Sequence, residues 1–247
     1  MENNRTIFAQ SRTVLVEKLR LEDGQEVVRK TYSFPTTKDR LRGSFRGTLL
    51  GRNKAHREYA GLKYLERANI PVVQALEWTC KRNRLGFVTE CCLTTRVFSG
   101  NDLAHSLKHE EHPVAEQWAN IGASVRKMHD AGIWHRGLSA RNLMIGGGST
   151  ERASSAQAKV NIAWLDTTKS KTYPPGGMAD EKRAFDLLRF WTPLMHHTTP
   201  EEKRNFADAY GEDIDLKKWW SHIANWKRAS FRRELQREEA RFEERGS

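Results

Sequence analysis

The stretch that begins at His135 and ends at Ile145 constrains the fold of this chain more than any other part of its sequence. It opens with His-Arg, continues through five residues to Asn142, and then becomes apolar. A later run, with apolar residues at positions 160, 162 and 164, predicts a strand that ends at Asp166. An amide oxygen such as that of Asn142 can coordinate Mg²⁺. Asn142 and Asp166 could each also be no more than a turn residue.

Two further charged residues stand earlier in the chain, first in a predicted strand and then in a predicted helix. Residues 5–32 show the alternation and the Asp-Gly turn signal of β-structure, and Lys30 lies in its last strand. Apolar residues recur at three- and four-residue intervals within residues 54–68, which predicts a helix with Glu58 at the edge of its apolar face. We expect Glu58 to reach inward and pair with Lys30, although either residue alone is more often solvated.

These positions resemble the motifs of protein-kinase-like phosphotransferases. The loop at 135–142 resembles H-R-D-x-x-x-x-N, and the segment before it, M-H-D-A-G-I-W-H at 128–135, resembles L-H-x-x-G-I-x-H. Lys30 resembles the Lys of V-A-I-K. Asp166 resembles the Asp of D-F-G by position only, since Thr-Thr follows it. The order of the four positions is more specific than any one of them.

Over most of residues 10–195 the chain resembles the bacterial lipopolysaccharide kinases, which phosphorylate inner-core sugars (Kdo or heptose). The resemblance rests on the basic L-R-G-S segment at 41–44, on E-Y-A-G-L-K-Y-L at 58–65, on I-P-V at 70–72, and on the residues after Asp166.

The resemblance implies an α+β, bilobal protein-kinase-like fold. Residues 1–93 would form a small lobe with an antiparallel sheet and one main helix. Residues 94–247 would form a larger, mostly helical lobe, with 217–247 as a charged helical tail.

It also implies ATP- and Mg²⁺-dependent phosphoryl transfer to a hydroxyl of a core sugar, with Asn142 and Asp166 holding the metal. The backbone carbonyl of Glu90 and the backbone amide of Cys92 would meet adenine in a hinge. The implied catalytic set is Lys30, Glu58, His135, Gly137, Asn142 and Asp166.

Two departures from the family pattern leave the activity open. Gly137 occupies the position of the Asp that accepts the proton of the attacking hydroxyl, and such a base contributes about 10²–10⁴-fold in rate. No G-x-G-x-x-G lies between residues 5 and 20. One hypothesis is a sugar kinase in which Ser139 or water orients the acceptor. The other is a catalytically impaired pseudokinase that binds nucleotide or a partner protein.

The net charge of +11 indicates an anionic partner. Within the resemblance this is an anionic glycolipid, which the basic segment 38–54 would face at the inner membrane leaflet. A nucleic-acid partner is the less favoured alternative, since no zinc finger or RNP-like motif is present. Without an apolar run that could span a membrane, and with three cysteines interpreted as reduced core thiols, we expect a cytoplasmic protein with at most peripheral membrane contact.

The remaining expectations concern regular structure and packing. Glycines argue against a rigid element in residues 33–53, and residues 146–158 should form a flexible hairpin insertion. The mixed charges of residues 227–245 predict a solvent-facing helix. We interpret Trp219, Trp220 and Trp226 as packing residues rather than as a base-stacking platform. We interpret His105, His109 and His112 as a solvated helix end rather than as a metal site.

Overall fold

The computed structural model describes residues 5–43, 53–146 and 162–244. The chain divides into two compact units, one made of residues 1–67 and 73–98 and the other of residues 68–72 and 99–247. The first unit extends to Phe98, and its last strand continues to Arg96.

The first unit is built on a five-stranded antiparallel sheet with the strand order β1-β2-β3-β5-β4. The predicted turn between β2 and β3 is present, with Gly24 at φ +83° and Leu21 N–H donating to the Gln25 carbonyl at 2.8 Å. The strands are β1 (Thr6–Gln10), β2 (Val14–Arg20), β3 (Glu26–Ser33), β4 (Ala75–Arg82) and β5 (Val88–Arg96).

The described part of this unit contains two helices, and one of them was not predicted. Helix α2 (Lys54–Arg67) confirms the helix predicted from apolar spacing. Helix α1 (Thr37–Gly43) corrects the expectation of no regular element in residues 33–53. A local cap outweighs the glycine at its end: Asp39 N–H donates to Thr36 Oγ1 at 3.1 Å, and Thr36 Oγ1 donates to Asp39 Oδ2 at 2.6 Å. The rest of that basic segment lies outside the described residues.

The second unit is mostly helical, with two small sheets. One sheet has the order β6-β8-β9, and the other pairs β7 with β10. Its strands are β6 (Asn101–Asp102), β7 (Ile133–Trp134), β8 (Leu143–Ile145), β9 (Ile162–Trp164) and β10 (Lys171–Thr172). Its helices are α3 (Leu103–Lys108), α4 (Ala115–Asp130), α5 (Asp180–Trp191), α6 (Pro200–Tyr210), α7 (Leu216–His222) and α8 (Asn225–Glu244).

Aromatic side chains fill the core between α4, α5 and α6. The Trp118 and Trp191 rings stack at 5.7 Å between centroids, and Phe206 meets Trp191 edge-on at 4.9 Å. All three side chains are buried, and aromatic side chains bury large apolar areas, so they help to hold the helices that carry the loops at 131–142 and 165–179.

Several expectations about the second unit are corrected. Helix α8 is not wholly solvent-facing, because Phe231, Leu235, Glu238 and Phe242 are buried at intervals of four, three and four residues. Trp226 is 80% exposed instead of packed, whereas Trp219 is buried as predicted. The proposed hairpin insertion falls largely on residues 147–161, outside the described residues.

The histidines and cysteines singled out in the sequence lie in different surroundings. The rings of His105 and His109 are tilted against each other with centroids 4.2 Å apart, and His112 lies 2.8 Å from Glu202. Within the described residues no group of three or more His, Cys, Asp or Glu side chains could hold a metal ion. All three cysteines are free thiols, but only Cys91 is fully buried. None of the helices in the described ranges is long and apolar enough to span a membrane.

Candidate active site

Lys30 and Glu58 form an ion pair inside the first unit. Lys30 Nζ lies 2.9 Å from Glu58 Oε1, and the Tyr32 hydroxyl donates to Glu58 Oε2 at 2.5 Å. Both donors come from β3, where residues 30 and 32 lie on the same face of the strand, while the carboxylate comes from α2. Glu58 is only 3% exposed. The buried carboxylate is therefore held by two donors, and it fixes the direction of the Lys30 ammonium.

The loop that begins at His135 is held by an aspartate that sequence reasoning did not identify. Asp186 of α5 is fully buried, and its two oxygens accept the backbone N–H groups of His135 and Arg136, each at 2.9 Å. Arg136 has φ +61°, an unusual value for a non-glycine residue, so this carboxylate stabilises a strained turn. The Asp186 carboxylate also lies 3.7 Å from His129 Nε2, and His129 Nδ1 lies 2.9 Å from the Tyr210 hydroxyl.

Strand pairing brings Asn142 and Asp166 to neighbouring positions. Leu143 of β8 pairs with Trp164 of β9, and beyond this pair Leu165 N–H donates to the Asn142 carbonyl at 2.8 Å. The next residue, Asp166, has φ +49° and accepts a hydrogen bond from the Thr168 hydroxyl at 2.6 Å. Two candidate oxygen ligands separated by 24 positions in sequence thus lie on adjacent backbone segments.

The donor chemistry of these two residues fits Mg²⁺. Asn142 Nδ2 donates to the Gly137 carbonyl at 2.8 Å, so Oδ1 is the atom of this amide that remains to act as a metal ligand. Asp166 supplies a carboxylate, and Mg²⁺ sites in nucleotide-dependent enzymes typically combine one or two such oxygens with phosphate oxygens.

The family model described as lipopolysaccharide kinase (Kdo/WaaP) family matches residues 9–210. The chain belongs to this family. A curated relative named 3-deoxy-D-manno-octulosonic acid kinase, from Haemophilus influenzae (strain PittEE), is 29% identical over 102 residues, which cover 41% of this chain and 42% of the relative. A protein of the same name from Actinobacillus succinogenes is 31% identical over 98 residues and covers 40% of each chain.

The chain spans about two fifths of the length of these curated relatives. A solved structure, "WaaP in complex with acyl carrier protein", matches the fold with a TM-score of 0.57 and 16% identity, and the match covers 97% of this chain and 89% of that one. The predicted α+β, bilobal kinase-like fold is confirmed by this match.

The backbone conformation at position 137 does not require a glycine. Gly137 is absent from the glycines with positive φ, so a residue with a side chain could adopt its conformation. A Cβ built there would lie 3.4 Å from His135 Nδ1 and 3.6 Å from Asn142 Nδ2, which is ordinary van der Waals contact. The family's aspartate would therefore find room for its first side-chain atom at this position.

His135 and Ser139 are both buried in this loop. Burial lowers the pKa of His135, and the nearby carboxylates of Asp186 and Asp166 oppose that shift only in part. His135 is therefore neutral at pH 7, consistent with a packed scaffold ring beside Trp164. Ser139 is 2% exposed, which argues against the suggestion that its hydroxyl orients an acceptor.

Glu90 and Cys92, the two residues of the predicted hinge, lie within β5. Glu90 pairs with Ser33 of β3 and Lys81 of β4, and Cys92 is likewise paired on both sides. Their backbone groups therefore lie inside the sheet ladders of a central strand. The chain leaves the sheet only after Arg96.

Asp186 could have been found in the sequence. It lies in a helical stretch among residues that are buried on the core side, such as Leu187, Leu188 and Phe190. An acidic residue on an apolar helix face needs a hydrogen-bond partner, and that requirement was the available signal.

Proposed function

We propose that this chain is a lipopolysaccharide-kinase-type phosphotransferase that uses ATP and Mg²⁺ and transfers phosphate to a hydroxyl of an inner-core sugar (Kdo or heptose). Family membership over residues 9–210 supports the reaction class. The observation that carries the proposal is the pairing of β8 with β9, which puts Asn142 and Asp166 on adjacent backbone segments.

Each residue of the predicted set has a separate task in this proposal. The Lys30 ammonium, fixed by Glu58, neutralises the α- and β-phosphates, while Asn142 and Asp166 hold the metal. His135 is a packed support of the loop. When bound, Mg²⁺ neutralises charge that develops on the β- and γ-phosphates. Phosphoryl transfer depends mainly on this placement of charge and on the position of the acceptor.

Gly137 favours a second candidate function, that of a pseudokinase that binds nucleotide or a partner and regulates or supports another protein. The protein groups proposed to bind ATP and Mg²⁺ do not include residue 137. The loss of a base therefore removes rate and leaves binding intact. The backbone at Gly137 and the space around its Cα would both accept a Cβ, so the glycine is not explained by a clash at that atom.

Phosphate transfer from labelled ATP to Kdo-containing lipid A precursor, and separately to heptose-containing core oligosaccharide, tests both candidates. The variants are Gly137→Asp, which restores the carboxylate, and Gly137→Ala as the matched control, which adds only a Cβ. If the chain lacks only the base, the rate of phosphate transfer rises about 10²–10⁴-fold in Gly137→Asp and does not rise in Gly137→Ala.

The outcomes separate the candidates. Robust transfer by the unmodified chain eliminates the pseudokinase. Mg²⁺-dependent ATP binding without transfer in either the unmodified chain or Gly137→Asp eliminates the sugar kinase. Absence of Mg²⁺-dependent ATP binding eliminates the sugar kinase and the nucleotide-binding form of the pseudokinase.

We also propose that an anionic glycolipid is the partner of the basic segment 38–54, and that the protein acts from the cytoplasmic side as a peripheral contact of the inner leaflet. The net charge of +11 supports electrostatic attraction to such a surface, at about 1 kcal/mol per basic residue near it. Cosedimentation with anionic and neutral vesicles tests this proposal. Serine at positions 42, 46 and 52 should weaken binding to anionic vesicles alone, and equal binding to neutral vesicles would contradict it.

A further inference from the structure

Helix α8 follows the region that the family model matches, yet it contacts the candidate active-site loop. The match to the family model ends at residue 210, whereas α8 spans Asn225–Glu244. Its Glu238 is 2% exposed, and the carboxylate accepts hydrogen bonds from Arg141 through Oε1 and from Arg189 through Oε2. Arg189 also donates to Glu234, one turn earlier on the same helix.

Arg141 lies within the loop that begins at His135. It is the middle residue of the 3-10 helix Ala140–Asn142 and directly precedes the proposed metal ligand Asn142. Its side chain is 22% exposed, so most of the guanidinium stem is covered where it meets Glu238.

The two ends of the loop are held from the same helix. Asp186 of α5 binds the backbone at His135 and Arg136, where the loop begins. Arg189, one turn further along α5, holds Glu238, which in turn holds Arg141 at the end of the loop. The position of Asn142 therefore depends on α5 through a carboxylate that α8 supplies.

The ionic cluster is not needed merely to attach α8. Phe231 stacks on Phe185 of α5 at 4.2 Å, and Leu235 and Phe242 are buried as well, so apolar contacts already fasten the helix. A buried ion pair loses much of its Coulomb energy to desolvation, and apolar residues of similar volume often stabilise as well or better. What such a pair supplies in addition is geometry, since guanidinium and carboxylate fix each other's orientation.

We infer that Glu238 is a positioning residue that acts through Arg141 to fix Asn142 for metal binding, an inference that rests on the proposed function. Outer-shell partners of metal ligands typically account for about 10–100-fold in metal affinity. Helix α8 is then part of the functional unit rather than an appended tail.

The experiment compares Glu238→Gln and Arg141→Met with matched controls. Arg141→Met removes the loop side of the contact and leaves Glu238 with Arg189, so α8 keeps its attachment. The controls are Glu234→Gln, which also contacts Arg189 but not Arg141, and Arg237→Met on the exposed face of α8.

The first measurement is the Mg²⁺ concentration that gives half of the ATP-dependent melting shift. It should rise about tenfold or more in Glu238→Gln and Arg141→Met and stay unchanged in both controls. Nucleotide binding without Mg²⁺ should stay unchanged in all four variants. The second measurement needs no ligand: amide hydrogen exchange of residues 138–143 should become several-fold faster in the two test variants.

An unchanged Mg²⁺ midpoint and unchanged exchange in Arg141→Met would overturn the inference while the unmodified chain still binds Mg²⁺ and ATP. If the unmodified chain shows no Mg²⁺-dependent ATP binding, the proposed function fails first and the inference fails with it. If Glu238→Gln unfolds, Arg141→Met alone decides between the two results.

Discussion

Replacing Lys30 by methionine removes one partner of a buried ion pair and leaves the other in place. The Lys30 side chain is 21% exposed and that of Glu58 4%, so the carboxylate stays desolvated after the change. Removing one partner from a fully buried pair destabilises a protein by about 3–5 kcal/mol. The partial exposure of Lys30 and the remaining hydrogen bond from Tyr32 at 2.5 Å reduce this value, and we expect about 1–3 kcal/mol.

The double variant Lys30→Met/Glu58→Gln separates charge burial from packing. It removes the stranded carboxylate, so it should recover at least half of the stability lost by Lys30→Met alone. Urea unfolding at pH 7 gives the free energy of unfolding of each variant, and the double-mutant cycle gives the coupling energy between residues 30 and 58. Arg29→Met places the same methionine side chain at the neighbouring position of β3, so it is the control for the effect of methionine itself.

Two results would refute this reasoning. A loss below about 0.5 kcal/mol in Lys30→Met would mean that the pair contributes no more than an exposed salt bridge. A double variant whose loss equals the sum of the single losses would mean that the two residues are not coupled. Because no nucleotide is present, the result does not depend on activity.

Three further predictions follow from the site and the core. Asp186→Asn removes the charge that receives two backbone N–H groups, and urea unfolding should show a loss of about 1–3 kcal/mol; an unchanged midpoint would contradict the anchoring role. Gly137→Ala should change stability by less than about 0.5 kcal/mol, since its Cβ meets only ordinary contacts, and a large loss would show that the loop needs glycine. Burial raises the pKa of Cys91 from 9.0 to about 11, so iodoacetamide at pH 8 should label Cys91 only after unfolding, and labelling of the native thiol would contradict its burial. Since the unfolded chain releases this proton first, the free energy of unfolding should fall as pH rises from 9 toward 11, and Cys91→Ala should reduce that fall.

Local patterns in the sequence predicted the elements whose structure is set locally. The β2–β3 hairpin follows from alternation and an Asp-Gly turn, and α2 follows from the spacing of apolar residues. Asp166 was located because a short apolar strand ends just before it. Helix α1 was missed because a single Thr36–Asp39 cap outweighs the glycines that argued against it.

The other differences come from contacts between distant residues. The end of β5 at Arg96 was not predicted, because the length of this strand is set by its two neighbouring strands rather than by its own residues. Asp186 binds backbone groups about 50 positions earlier, and Glu238 binds an arginine 97 positions earlier. No window of sequence contains both partners, and the alternating charges of α8 conceal that one of its acids is buried.

The central proposal is that Lys30, Asn142 and Asp166 are each needed for the binding of nucleotide with Mg²⁺. The most direct test is the melting shift produced by ATP with and without Mg²⁺ in the unmodified chain, Lys30→Met and Asp166→Asn. We predict a shift of several degrees with ATP and Mg²⁺ at about 100 times the dissociation constant, lost in both variants, with Asp166→Asn also losing its dependence on Mg²⁺. A shift of the same size in all three proteins would contradict the claim.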